Sequence, residues 1–303
     1  MRILFSIVLF FVFSCSVFDK QPEKPQPPAP PAPGKYLPSE KVVDLFTKFD
    51  NKQMGMFEEK LNKGASLRLL DVISEEEFFK GVKITKVNST EKSVKEFELG
   101  SSDLREFDTP VVSQWGGTCT AHGIAAGIEN ALKGKVNLSE RHVWSKYKRY
   151  SCESAIKAWD GGKACITEAA KWPNGNIRPY SGYLDSKNCY SYLLKTKYIN
   201  NDIQQMIDNL KKGLPVYIGM SVTKSMLNCD TALNPNSATT GGGHALSVVG
   251  HVVSPKVPGG GYFIVKNSWG ADCGDKGYQY IPFNYCNIRQ DMYCIMWSIV
   301  SVK

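Results

Sequence analysis

The spacing of apolar residues changes at Gly213, and that change limits the folds open to this chain. Before it, Ala121, Ile124, Ala125, Ile128 and Leu132 recur at three-and-four spacing with Gly134 as a stop, and Ile203, Met206, Ile207 and Leu210 repeat the pattern up to Gly213. Such spacing lines one face of a helix. A further helix is predicted from Ser139, with Val143, Tyr147 and Tyr150 on one side. After Gly213 the runs are strand-like: Leu214 to Val222, His244 to Val253 and Tyr262 to Asn267, joined by turn-rich segments. Helices first and strands second read as α+β, with a helical part and a sheet part sharing a cleft, rather than as alternating βαβ units.

The start of the chain is built differently. Arg2 precedes an apolar run from Ile3 to Phe13 that ends in Ser14 and Cys15, the shape of an export signal. The run is too short to cross a bilayer, which takes about 20 apolar residues. Val12-Phe13-Ser14-Cys15 resembles a bacterial lipobox, which predicts a lipidated Cys15 and membrane attachment; the alternative is a plain secretory peptide cleaved nearby. Residues 21–38 hold eight of the sixteen prolines and read as an extended spacer. The expected organisation is a signal at 1–15, a linker at 16–38, an N-terminal region at 39–100 and a main domain at 101–303. The expected location is the bacterial cell envelope, on the periplasmic or outer-membrane face, or the medium.

With 42% hydrophobic and 22% charged residues, the chain has the material for a packed core. Its net charge of +8 is scattered, with no basic run alternating with aromatics, which argues against a nucleic-acid partner. No pattern calls for a metal or a cofactor. Nine cysteines in an exported chain suggest disulfides. Setting aside Cys15 for lipid and Cys119 for chemistry leaves seven, which cannot all pair.

Cys119 opens the first strongly periodic helix, where unpaired N–H groups and the helix dipole favour a thiolate. A thiol nucleophile needs a base and a group that orients the base. Among four histidines, His244 follows Gly241-Gly242-Gly243, whose small size leaves room for a substrate. Taking His244 to Val253 and Tyr262 to Asn267 as a hairpin about the turn Ser254-Pro255-Lys256-Val257-Pro258-Gly259 brings His244 beside Asn267. His122, one helical turn from Cys119, is the second-choice base. His142 and His251 read as structural.

At these residues the sequence resembles the papain-like cysteine peptidases, from Ser102 to the C-terminus. The resemblance is carried by Lys266-Asn267-Ser268-Trp269-Gly270 with Gly274-Asp275-Lys276-Gly277-Tyr278, by Gln114 through Cys119, by Gly243-His244-Ala245-Leu246, by Leu138-Ser139-Glu140 and by Asp160-Gly161-Gly162. It implies a papain-like fold, with a helical subdomain and an antiparallel β-barrel-like subdomain flanking the cleft, and a protein or peptide substrate. By the same resemblance Cys119 is the nucleophile, His244 its base, Asn267 the orienting group and Gln114 an oxyanion donor. Trp269 would shield the Asn267–His244 bond, and Gly161, Gly162 and Gly243 would line the substrate cleft. Cys152 and Cys189 fit the places of a family disulfide, and residues 39–100 stand where a prosegment would. The chain departs from the family pattern in a loop between Gln114 and Cys119 shortened by one residue, in Thr120, His122 and Cys273 in place of aromatic residues, and in the absence of the interrupted-helix signature of inhibitory prosegments. These departures leave a second reading, a papain-fold surface lipoprotein that binds without cleaving.

Overall fold

The computed structural model describes residues 36–49, 61–82, 97–147, 151–159, 163–170, 189–199, 202–287 and 291–302. The signal, Cys15, most of the proline-rich spacer and the Gly161–Gly162 pair lie outside the described residues.

The helical part is built on α4 (Cys119–Ala131), α5 (Glu140–Tyr147) and α6 (Cys152–Trp159). α4 starts and stops as its sequence predicts, with Leu132 as C-cap and Gly134 in the left-handed region at φ 64°. α7 (Ile203–Lys211) follows Asp202, whose side chain accepts the Gln205 N–H and so caps the first turn.

Among the described residues the sheet part is nine-stranded. Its main path uses β3 (Lys163–Ile166), β4 (Tyr190–Tyr198), β5 (Val216–Thr223), β6 (Thr239–Val253), β7 (Gly261–Lys266), β8 (Tyr278–Pro282) and β9 (Cys294–Val302), in the order β3-β4-β9-β5-β6-β7-β8. Two short strands, β1 (Ile73–Ser74) and β2 (Ser101–Asp103), add to β6. Every pairing between these strands is antiparallel. The path runs from edge to edge without closing, so the β part is an open sheet where a barrel-like form was expected.

β5 explains how two cores are formed. Val216, Ile218, Met220 and Val222 point into one core with Met206, Leu210 and Tyr262, while Tyr217 faces a second core with Ile124, Ile128, Ile156 and Trp297. A strand covered on both faces reads as an unbroken apolar run, as residues 214–222 do. α4 lies against β6 through a glycine: a Cβ on Gly123 would stand 3.3 Å from the backbone of Ala245 and Leu246 and 3.0 Å from the Tyr217 ring. That close approach sets the N-terminus of α4 beside the start of the histidine strand.

The expected Cys152–Cys189 disulfide is not formed. Cys152 is a buried free thiol in the second core, and Cys189 is disulfide-bonded to another partner. Cys152 faces inward at the first turn of α6, packed against Gly219 in the core that also holds Tyr217. Cys229 pairs with Cys273 and Cys286 with Cys294. Cys273, at a position where the family often has tryptophan, therefore serves as a crosslink.

Candidate active site

Cys119, His244, Asn267 and Gln114 come together between α4 and the sheet, and all four are buried. The Cys119 sulfur lies against the Ala245 backbone, which sets the thiol beside the residue after His244. His244 Nε2 lies 2.9 Å from Asn267 Oδ1, and its Nδ1 has no hydrogen-bond partner in this state. Trp269 stacks on the imidazole, ring centroids 4.4 Å apart, covering the His244–Asn267 bond.

The hairpin joining these residues is real, but its register is not the one counted from the turn. Ser247 pairs with Lys266, and a bulge between Val248 and Gly250 shifts the ladder. Three residues on from that pair, His244 faces Trp269, and Asn267 reaches the imidazole diagonally from beyond the end of β7. Diagonal neighbours on one face of a sheet are within reach of long side chains.

Gln114 is fixed from three sides. Its N–H donates to Ser268 O at 2.6 Å, its Oε1 accepts the Ser268 hydroxyl at 2.5 Å, and its Nε2 donates to Gly116 O at 2.8 Å. The same Nε2 donates to the carbonyl oxygen of Asp71 at 3.0 Å. Asp71 belongs to a strap within the N-terminal region, residues 39–100, that stands in the place of a prosegment. The strap comprises a 3₁₀ turn (Leu69–Asp71), β1 and the short helix α3 (Glu75–Phe78), whose first turn Ser74 caps by accepting the Glu77 N–H. Asp71 Oδ1 also accepts the Gly116 N–H at 2.6 Å, and Ile73 and Ser74 pair with Gly243 and Gly242 just ahead of His244. Phe78 is fully buried against Gly243, where a Cβ would come within 2.2 Å of its ring. The strap thus packs over Gly243, one of the residues expected to line a substrate cleft.

A family model for papain family cysteine proteases matches residues 103–296. The chain belongs to the papain family. The viral cathepsin of Epiphyas postvittana nucleopolyhedrovirus is 27% identical over 193 residues, covering 58% of this chain and 57% of that protein. The thiol protease aleurain of Arabidopsis thaliana is 27% identical over 232 residues, 66% of this chain and 60% of its own. The chain thus spans little more than half the length of these relatives. Among solved structures, the cysteine protease xylellain of Xylella fastidiosa matches at TM-score 0.53 and 23% identity, over 70% of this chain and 90% of its own. The ragweed pollen cysteine protease Amb a 11, in its proform, matches at TM-score 0.56 and 19% identity, over 86% of this chain and 79% of its own.

The electrostatics of this papain-family site reflect the strap. A helix N-terminus lowers a thiol pKa only while the thiolate can be solvated. Burial pushes Cys119 up to about 12, and the nearby Asp71 carboxylate adds to the rise. Burial likewise pulls His244 down to about 4, against the opposing Asn267 hydrogen bond. In this closed state the pair is therefore a neutral thiol beside a neutral imidazole. The expected thiolate is suppressed by desolvation.

Two supporting residues were missed in the sequence. Gln279 Oε1 accepts from Asn267 Nδ2 at 2.8 Å, and Ser268 holds both Asn267 and Gln114. The signal for Gln279 was a polar residue between Tyr278 and Tyr280 in a strand that is buried throughout. The Nδ1 of His122, the second-choice base, is engaged by the Thr118 carbonyl oxygen at 3.0 Å. His142 accepts the Thr167 N–H, as a structural histidine would.

Proposed function

We propose that this protein is a cysteine-type endopeptidase made as a closed precursor, in which Cys119 attacks a peptide carbonyl and forms an acyl-enzyme that water then releases. The observation that carries this reading is a peptide already lying in the cleft: the Asp71 carbonyl oxygen sits on the Gln114 amide, and strap residues pair with the glycines ahead of His244. A site that holds one main-chain carbonyl on an amide donor beside a thiol is arranged to polarise another. His244 takes the thiol proton on Nδ1, the ring nitrogen not committed to Asn267, and returns it to the leaving amine. Asn267 Oδ1 accepts the Nε2–H and so sets the tautomer. Trp269 keeps water from that bond.

Residues 39–100 act as an inhibitory region that must leave the cleft before substrate enters. Phe78 fills the pocket that a substrate side chain would take. The chain is exported and anchored through lipid on Cys15. Disulfides at Cys229–Cys273 and Cys286–Cys294 support an oxidising compartment, and a lipid-modified N-terminal peptide in mass spectrometry is the test.

The peptidase reading is tested on the full chain, as purified and after limited trimming of the strap, beside Cys119→Ala. The trimmed wild type is expected to cleave gelatin and to take an epoxysuccinyl label on Cys119, and the untrimmed chain to do both slowly. Gelatin cleavage that persists in Cys119→Ala removes the nucleophile assignment. A trimmed chain that neither labels nor cleaves favours the binding-module reading.

A further inference from the structure

Of the buried imidazoles that the peptidase reading leaves unused, His122 stands nearest the nucleophile in the chain. His122 sits in the first turns of α4, where a phenyl ring of similar size would fill the space without desolvating two ring nitrogens. Its Nδ1 lies 3.0 Å from the Thr118 carbonyl oxygen, which has no proton to give, so Nδ1 is the donor. The ring is thus turned back along its own helix onto the residue before Cys119. Thr118 in turn donates its hydroxyl to Trp115 O at 3.0 Å, while its carbonyl also receives the Ala121 and His122 N–H groups. One side chain therefore grips the turn that has Gln114 at one end and Cys119 at the other.

Beyond the ring lies a small cavity that His122 lines together with Ala245, Asn267 and Ser268. Ala245 follows His244 and its backbone lies against the Cys119 thiol, Asn267 holds the His244 ring, and Ser268 holds Gln114. The three segments that carry Cys119, His244 and Asn267 thus line one cavity with this imidazole. Glu140 from α5 and Lys266 from β7 face the same cavity, and burial lowers the pKa of the imidazole against the opposing effect of Glu140.

We infer that His122 is a positioning residue of this site: its Nδ1–H bond to Thr118 fixes the turn before the nucleophile against the wall formed by the histidine strand and the asparagine segment. The inference rests on the peptidase reading and adds to it a residue that touches neither substrate nor the reacting atoms.

The test compares His122→Phe with His122→Gln in the full chain, trimmed as above. Phenylalanine keeps the volume and removes the donor. Glutamine keeps an N–H that can reach a carbonyl one turn back. His122→Phe is expected to lower kcat by about 10- to 100-fold with KM changed by less than about threefold, the effect of a displaced nucleophile. His122→Gln is expected to recover most of that loss at a similar melting temperature. Wild-type kcat in His122→Phe, or equal losses in both variants, overturns the inference. If His122→Phe does not fold, nitrogen NMR of the wild-type ring decides: a proton on Nδ1 supports the inference and a proton on Nε2 removes it. A wild type that neither labels nor cleaves removes the peptidase reading, and this inference with it. An active wild type with an unaffected His122→Phe removes this inference alone.

Discussion

At the scale of single residues, the site depends on which way one carboxamide faces. Asn267 Oδ1 receives both His244 Nε2 and the Ser268 N–H, at 2.9 and 2.7 Å, and its Nδ2 gives to Gln279 Oε1. Gln279 is itself held by its Nε2 on Asp230 O at 2.9 Å. If the carboxamide flipped, an NH₂ would face the Nε2–H of His244, and the tautomer that leaves Nδ1 for the thiol would lose its support. Gln279→Leu removes the acceptor that prevents the flip and strands a buried donor, at a cost of about 1–3 kcal/mol. The expected result is a melting temperature lowered by a few degrees and a kcat lowered about tenfold with KM nearly unchanged. A KM rise with intact kcat would place Gln279 in substrate binding instead. His244 and Asn267 were legible in the sequence because each carries a local motif and because a turn lies midway between them. Gln279 was not, because its role depends on the β7–β8 pairing, which sequence spacing does not fix.

At the scale of elements, the most deeply buried ring of the strap is that of Phe78. Phe78 packs between Gly243, Gly219 and Cys152 and meets Phe79 edge to face at 4.9 Å. Truncating a buried phenylalanine costs about 3–5 kcal/mol, and here the loss falls on the closed state alone, since a released strap exposes the ring anyway. Phe78→Ala in the full chain should therefore speed epoxysuccinyl labelling of Cys119 by about 100-fold or more without trimming. An unchanged labelling rate would mean that the strap does not gate the thiol. Ser74 caps α3, and Glu75, Glu76 and Glu77 fill its first turn. Its place in the cleft was not readable, because capping and charge are local properties, whereas docking onto β6 is set by Gly242 and Gly243 far along the chain. α4 shows the opposite case. Its boundaries and buried face follow from periodicity, and its position follows from glycines: a Cβ on Gly127 would stand 2.4 Å from Ile299 Cδ1. Gly127→Val is predicted to destabilise by about 1–3 kcal/mol through overpacking, measured as a lower midpoint in urea.

At the scale of the whole molecule, closure joins two proton equilibria that the open enzyme would not share. His244 falls from an ordinary 6.5 to about 4 on burial, and Cys119 rises from 9.0 to about 12. The sign follows from counting protons. Below 6.5 the open state holds a proton on His244 that the closed state lacks, so acid favours opening, progressively from 6.5 down to about 4. Burial also raises Cys119, so where the open state forms a thiolate the closed state keeps the proton, and rising pH favours opening as well. Within the acid range a single histidine shifts the balance by up to about tenfold per pH unit. Cys119 accessibility in the full chain can be followed with 2,2′-dipyridyl disulfide, which stays reactive toward thiols in acid. Its rate should climb as pH falls from about 6.5 to about 4.5, and the climb should be largely absent in His244→Ala, whose closed and open states no longer differ at this proton. An equal climb in both proteins would assign the acid response to groups other than His244, and a flat wild-type profile would show that closure does not depend on desolvating this imidazole.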